Sequence, residues 1–148
     1  FYATHFSSVV ANFDADTILK GPQACLDRIE MIQAMGNNAT AKEQADILVL
    51  EVAYEMYSRG YEFAPARLGK SKALKFWSDE GKVLLPFVAL EGVGDSAAKA
   101  LADAYDEKPF FTIEEAVNRA KLNKTAVEAL RAHGVFEGLP ETDQLSLF

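Results

Sequence analysis

A chain of 148 residues with 49% apolar and 25% charged side chains has the balance of one medium globular domain or two small ones, with enough apolar mass for a real core. Its net charge of −7 excludes a uniformly basic, nucleic-acid-coating surface, and the single Cys25 excludes an internal disulfide and fits a reducing compartment, so the cytoplasm is expected. No apolar run approaches the roughly 20 residues needed to span a bilayer, and no membrane partner is predicted.

The start, Phe1, Tyr2, Ala3, Thr4, His5, Phe6, has no initiator Met and no basic region leading an apolar stretch; it reads as a piece of a longer chain beginning inside a domain. Asp14 and Asp16 predict a short turn. Gly21 and Pro22 open a helix with Leu26, Ile29 and Ile32 on one face, ended by Gly36, Asn37 and Asn38. Thr40 and Glu43 have capping-box spacing and open the next helix, which is apolar over a wide arc through Ile47, Leu48, Leu50 and Met56 to its stop at Gly60. That helix is the predicted centre of the first half. Tyr61, Glu62 and Phe63 alternate like a strand, and Gly81, Lys82, Val83 and Leu84 read as the return of a hairpin. Cys25 sits in an apolar helical pattern, as an inert core thiol does, and His5 and His133 have no partners at metal-ligand spacing.

Charge is unevenly spread. Residues 59–82 carry six cations against three acids, whereas residues 1–58, 83–134 and 135–148 are each net negative. Aromatics interleave the basic stretch (Tyr61, Phe63, Phe76, Trp77). Arg67, Lys70, Lys72 and Lys75 are its candidate phosphate contacts, though a solvated loop around buried aromatics fits the composition equally well.

After Pro86 comes the pattern that carries chemistry. Phe87 and Leu90, an apolar pair three apart, precede Gly92, Val93 and Gly94, and a helix follows with Ala98 and Leu101 facing inward. Two glycines around one apolar residue make a very tight turn, with Val93 plugging the crossing. The turn would leave backbone N–H groups bare at the start of the next helix, where the partial positive charge suits a phosphate oxygen; Ser96 and Lys99 are adjacent candidates. Such contacts read the backbone and not the bases. Asp95 opposes an anion there. A weaker copy follows. Thr112 and Glu115 form a second capping box, Lys121, Leu122 and Asn123 stand where Gly92, Val93 and Gly94 stood, and Thr125, Val127 and Leu130 continue a helix ended by Gly134. Lys121 and Lys124 supply charge and Asn123 tolerates a left-handed turn, so Lys121, Asn123, Lys124 and Thr125 join the candidate phosphate contacts, which the helix-hairpin-helix resemblance implies are contacts to DNA. The pattern is that of a helix-hairpin-helix, here in tandem.

At the other end, Gln144, Leu145, Ser146, Leu147 and Phe148 form a short apolar run on a leader of Gly138, Leu139, Pro140, Glu141, Thr142 and Asp143. Chain ends are normally polar unless something holds them. The run reads either as an anchor filling an apolar cleft on another protein or as side chains packed back on the core. No catalytic constellation appears: the carboxylates are scattered, no clustered aspartates could hold two metal ions, and Ser96 and Thr125 have no base nearby.

In order, these features resemble the C-terminal end of the Gram-positive-type DNA polymerase III alpha subunits, the PolC family. Four pieces carry the resemblance: the opening from Phe1, Tyr2, Ala3 to Phe13, Asp14, Ala15, Asp16; Arg59, Gly60, Tyr61, Glu62, Phe63; Leu85, Pro86, Phe87 into Gly92, Val93, Gly94; and Lys124, Thr125 through Leu139, Pro140 into residues 144–148. A terminal Phe148 sets it apart from the related DnaE-type enzymes. The resemblance implies that residues 1–82 close the fingers region beside upstream polymerase domains, residues 83–134 hold double-stranded primer–template DNA as a tandem helix-hairpin-helix domain, and residues 135–148 are a flexible tail. Within that tail, Leu147 and Phe148 would fill a cleft of the sliding clamp while Gln144 hydrogen-bonds at its edge. It further implies a parent that is a DNA-directed DNA polymerase using Mg, with its catalytic aspartates upstream of Phe1, so this part is noncatalytic and holds no cofactor. The expected fold is mainly α, with a small β-hairpin in the fingers-end segment. The alternative is a noncatalytic repair or replication accessory module with the same hairpin and clamp peptide; a purely structural helical domain is a third reading.

Overall fold

The computed structural model describes residues 1–142, which divide into two compact units: residues 1–65 with 76–84, and residues 66–75 with 85 onward. The chain therefore passes between the units three times. A single cut at 82/83 does not describe this, because the basic segment 66–75 folds with the second unit.

The first unit contains α1 (Tyr2–Ser8), α2 (Ala15–Ile18), α3 (Pro22–Met35), α4 (Ala41–Ser58), β1 (Glu62–Ala64), β2 (Trp77–Asp79) and β3 (Lys82–Leu84). Asp14 caps α2 by accepting from the Thr17 N–H at 3.1 Å, so the predicted turn becomes a short helix. Pro22 starts α3 as expected, and the reciprocal Thr40–Glu43 capping box opens α4. Of α4, Asp46, Val49, Leu50, Ala53 and Met56 are buried, a stripe at helical period. Leu48 faces solvent, so the apolar arc is narrower than its composition suggests. Phe6, Phe13, Phe63 and Phe76 form a ring cluster with four edge-to-face pairs and one tilted pair, centroids 4.8–5.8 Å apart. Buried Asp46 accepts from Asn12 Nδ2 at 3.0 Å and from Lys42 Nζ at 3.1 Å, which satisfies the carboxylate in the interior.

The sheet corrects the expected strand pairing. β1 runs parallel to β3, and the hairpin partner of β3 is β2, joined through Glu80 and Gly81, both with positive φ. Strands of three residues carry too little alternation to reveal a partner.

The second unit contains α5 (Asp95–Glu107), α6 (Ile113–Ala120) and α7 (Lys124–Ala132). Its core is built from Leu85, Phe87, Leu90, Leu101, Ile113, Leu130 and Phe136, all buried. The arm before the first turn is only a 3-10 turn, Phe87–Ala89, with Leu90 already extended. Arg119 fastens α6 to the end of α5 by donating to Ala104 O at 2.5 Å and Lys108 O at 2.8 Å. Beyond α7 the expected flexible tail from residue 135 is instead a docked strap as far as the chain is described. Val135 and Phe136 are buried, Ile113 N–H donates to Pro140 O at 2.9 Å, Glu114 N–H donates to Glu141 O at 3.0 Å, and Arg131 forks onto the Glu141 carboxylate.

Candidate nucleic-acid interface

The two turns of the second unit correspond residue for residue. Gly92 has φ +101° and Lys121 φ +55°, so both open their turn in the left-handed region. Val93 and Leu122 follow, both buried under their helices; each such side chain contributes about 2 kcal/mol by leaving water. Gly94 at φ −80°, ψ 173° and Asn123 at −81°, 170° then sit at the caps of α5 and α7 with the same extended backbone. The left-handed residue of the second turn is Lys121, not Asn123. Asn123 serves as an N-cap, its Oδ1 accepting from Ala126 N–H at 2.8 Å.

The two helix starts differ in what they leave open. At α5 the amides of Gly94, Asp95, Ser96 and Ala97 donate to no backbone carbonyl among the described residues, and no side chain caps them. At α7 Asn123 has taken one donor, that of Ala126, leaving the Asn123, Lys124 and Thr125 amides. Val93 offers neither side chain nor amide, since its N–H donates to Leu90 O at 3.0 Å. Charge offsets this difference. Exposed Lys121 and Lys124 flank the capped start, the latter 4.0 Å from Glu128, while the open start has exposed Asp95 in its first turn and Lys99 one turn on.

Gly92 has a second duty. A Cβ there would lie 3.2 Å from Thr125 Cγ2 and 3.4 Å from Ala129 Cβ, so its missing side chain lets the first turn close on α7. Gly92 and Thr125, both read from sequence as DNA contacts, thus touch each other where the hairpins join. Gly94 has nothing within 4 Å of its Cβ direction and is open to a ligand.

The basic segment is distributed along the unit. Ser71, buried, accepts from Arg67 N–H at 2.8 Å and donates to Leu85 O at 2.7 Å, locking the loop to the hairpin domain. Lys72 O and Ala73 O accept from the Phe87 and Val88 amides, which places Lys72 beside the first arm. Gly69 lies against the Tyr105 ring, and Arg67 shares a cleft with Tyr105, Phe110, Val135 and Leu139. Tyr105 is ten residues from Asp95, about 15 Å along α5, so Arg67 stands far from the first turn. Lys70 and Lys75 are exposed. Sequence reading passed over Ser71 and Arg119; a lone Ser between lysines and one helical Arg carry no signal of the carbonyls they reach. The tail residues Gln144, Leu145, Ser146, Leu147 and Phe148 lie outside the described residues.

Among the described residues no three His, Cys, Asp or Glu side chains converge on a point that could hold a metal ion. Burial, with Asp14 adding to it, pushes the Cys25 thiol up to about 11, which keeps it protonated and unreactive at neutral pH. No helix among the described residues is long and apolar enough to cross a membrane.

With that geometry in view, a family model described as a helix-hairpin-helix motif matches residues 60–145. The whole 148-residue chain is 41% identical to the PolC-type DNA polymerase III of Clostridium perfringens, 45% to that of Caldanaerobacter subterraneus and 39% to that of Bacillus subtilis. It covers 10%, 11% and 10% of those proteins respectively, so the chain spans about a tenth of the length of the curated relatives it matches.

Proposed function

Since this chain belongs to the helix-hairpin-helix family, we propose that it is the duplex-holding and clamp-tethering part of a PolC-type replicative DNA polymerase. The observation that carries the reading is the matched pair of turns, each ending in an extended cap that presents backbone amides at a helix start. Two such starts suit the two phosphate backbones of a primer–template duplex, with Lys99, Lys121 and Lys124 adding charge and no base being read. Nucleotidyl transfer and the Mg it uses belong to the parent outside this chain. Residues 144–148 tether that parent to the sliding clamp: Leu147 and Phe148 fill an apolar cleft and Gln144 fixes direction. A weak peptide contact suffices, because threading on DNA raises its effective concentration.

The test is paired. Duplex affinity is titrated against salt for the chain and for Gly94→Val, whose new side chain meets open space in the fold but blocks the amides. A loss of about tenfold or more is expected, with the fold retained although Val at an N-cap costs about 1 kcal/mol. Clamp binding is compared for the chain with and without residues 144–148, and only the intact chain is expected to bind. Unchanged salt-dependent affinity in Gly94→Val would sink the hairpin assignment, and equal clamp binding by both chains would sink the tether.

A further inference from the structure

The strap ends at a fixed point. Pro140 O and Glu141 O accept from the first two amides of α6, and Arg131 holds the Glu141 carboxylate. Gln144 is three residues further on in the sequence, and three residues of chain reach at most about 11 Å. A protein that captures residues 144–148 is therefore tethered within reach of the start of α6.

The surface there has a definite chemistry. Phe111, two residues before α6, is 71% exposed and is the one large apolar side chain of the second unit that stands in solvent among the described residues. Its backbone is fixed: Phe111 N–H donates to Glu115 Oε1 at 2.7 Å, and neighbouring Phe110 is buried 5.4 Å from the Tyr105 ring and 5.0 Å from the Arg119 guanidinium. Lys108 Nζ lies 5.9 Å from the Phe111 ring, which puts an ammonium beside the apolar face. This corner is remote from the first turn and the phosphate proposed there. It sits at the far end of α5, whose 13 residues span about 20 Å from Gly94.

We infer that Phe111 and Lys108 form a second contact surface for the protein that takes the tail, the sliding clamp of the proposed function, on which this inference rests. The facing clamp surface supplies apolar cover for the ring and a carboxylate for the ammonium. Tail and corner then act as two linked contacts, and the chain binds the clamp more tightly than its tail alone.

The experiment is calorimetric titration of the clamp with four ligands: the whole chain, a synthetic peptide of residues 139–148, the Phe111→Ser chain and the Arg131→Ala chain. The chain is expected to bind about tenfold more tightly than the peptide, as a second linked contact requires. Phe111→Ser should lose most of that surplus at unchanged melting temperature, because the ring is exposed. Arg131→Ala, which frees the strap, should lose part of it. Equal affinity of chain and peptide, or Phe111→Ser binding like the unaltered chain, overturns the inference and leaves the clamp reading standing. A peptide and chain that both fail to bind overturn the clamp reading and the inference together.

Discussion

The two hairpins of the second unit reach one backbone shape by different means, and the contrast separates what the shape needs from what a ligand needs. The first uses Gly92 at φ +101°, where a side chain is excluded twice, by the dihedral and by α7. The second places Lys121 in the left-handed region and accepts the strain in return for a cation at the turn. The first leaves its helix start uncapped behind Gly94; the second closes one amide with Asn123. The geometry common to both is a left-handed residue, a buried plug and an extended cap. Side-chain identity is then left to set how much of the helix start is offered to an anion and how much positive charge stands beside it.

The largest expected effect breaks the first hairpin. Gly92→Val combines a disfavoured dihedral with overpacking against Thr125 and should cost about 3 kcal/mol in denaturant unfolding. At the matching position Lys121→Gly should be neutral or stabilising by about 0.5 kcal/mol. Equal losses at both positions would show that the two turns are not equivalent. Because Gly92→Val attacks the fold, it cannot report on DNA contact, and Gly94 is the position that can.

Exchanging caps comes next. Asn123→Ala should cost about 1 kcal/mol, the usual worth of an N-cap. Gly94→Asn copies the second cap onto the first helix, whose cap dihedrals match within a few degrees. It should stabilise by about 0.3 kcal/mol and still weaken duplex binding, since the new side chain takes an amide from the phosphate. A Gly94→Asn chain that binds DNA more tightly would reverse the roles given to the two helix starts.

The smallest effect is in acid. The Phe111 N–H, followed by the Arg119 side chain from the last turn of α6, holds the Glu115 carboxyl below the usual carboxylate range. A folded-state value lower than the unfolded one stabilises at pH above the unfolded value and is lost as pH falls through the folded value. Between pH 7 and pH 3 the unaltered chain should therefore lose slightly more stability than Glu115→Gln. The first hairpin has no such carboxylate cap among the described residues. If its amide exchange rises in acid ahead of that of α6, the assignment of the acid-sensitive element is wrong.

Much of this was legible in the residues. Pro22 at the start of α3, the Thr40–Glu43 box and the turn at Gly92, Val93, Gly94 are local signals whose partners lie within four positions, and each formed where expected. The Thr112–Glu115 pair was half legible: Thr112 accepts from Glu115 N–H, but Glu115 reaches back one residue further, to Phe111. Parallel pairing of β1 with β3 was hidden, because it joins three-residue strands twenty positions apart. The strap was misread because its leader is acidic and marked by proline. The missed signal was Gly134 followed by apolar Val135, a helix C-terminus in which a left-handed glycine turns the next side chain back onto the last turn; Val135 N–H donates to Leu130 O at 3.0 Å. Ser71 and Arg119 gave no signal, since their value lies in carbonyls that only the fold brings near.

The threefold passage of the chain between its units bears on how the molecule can be dissected. A fragment beginning at residue 83 omits the loop whose Ser71 hydroxyl satisfies Leu85 O and whose carbonyls receive the Phe87 and Val88 amides. Such a fragment bares buried polar groups at the threshold of its first hairpin. A single proteolytic nick at 65/66, 75/76 or 84/85 leaves two covalent links intact, so neither unit is released until all three are cut. The boundary is a seam stitched three times, and deletion mapping across it reports on the stitches before it reports on function.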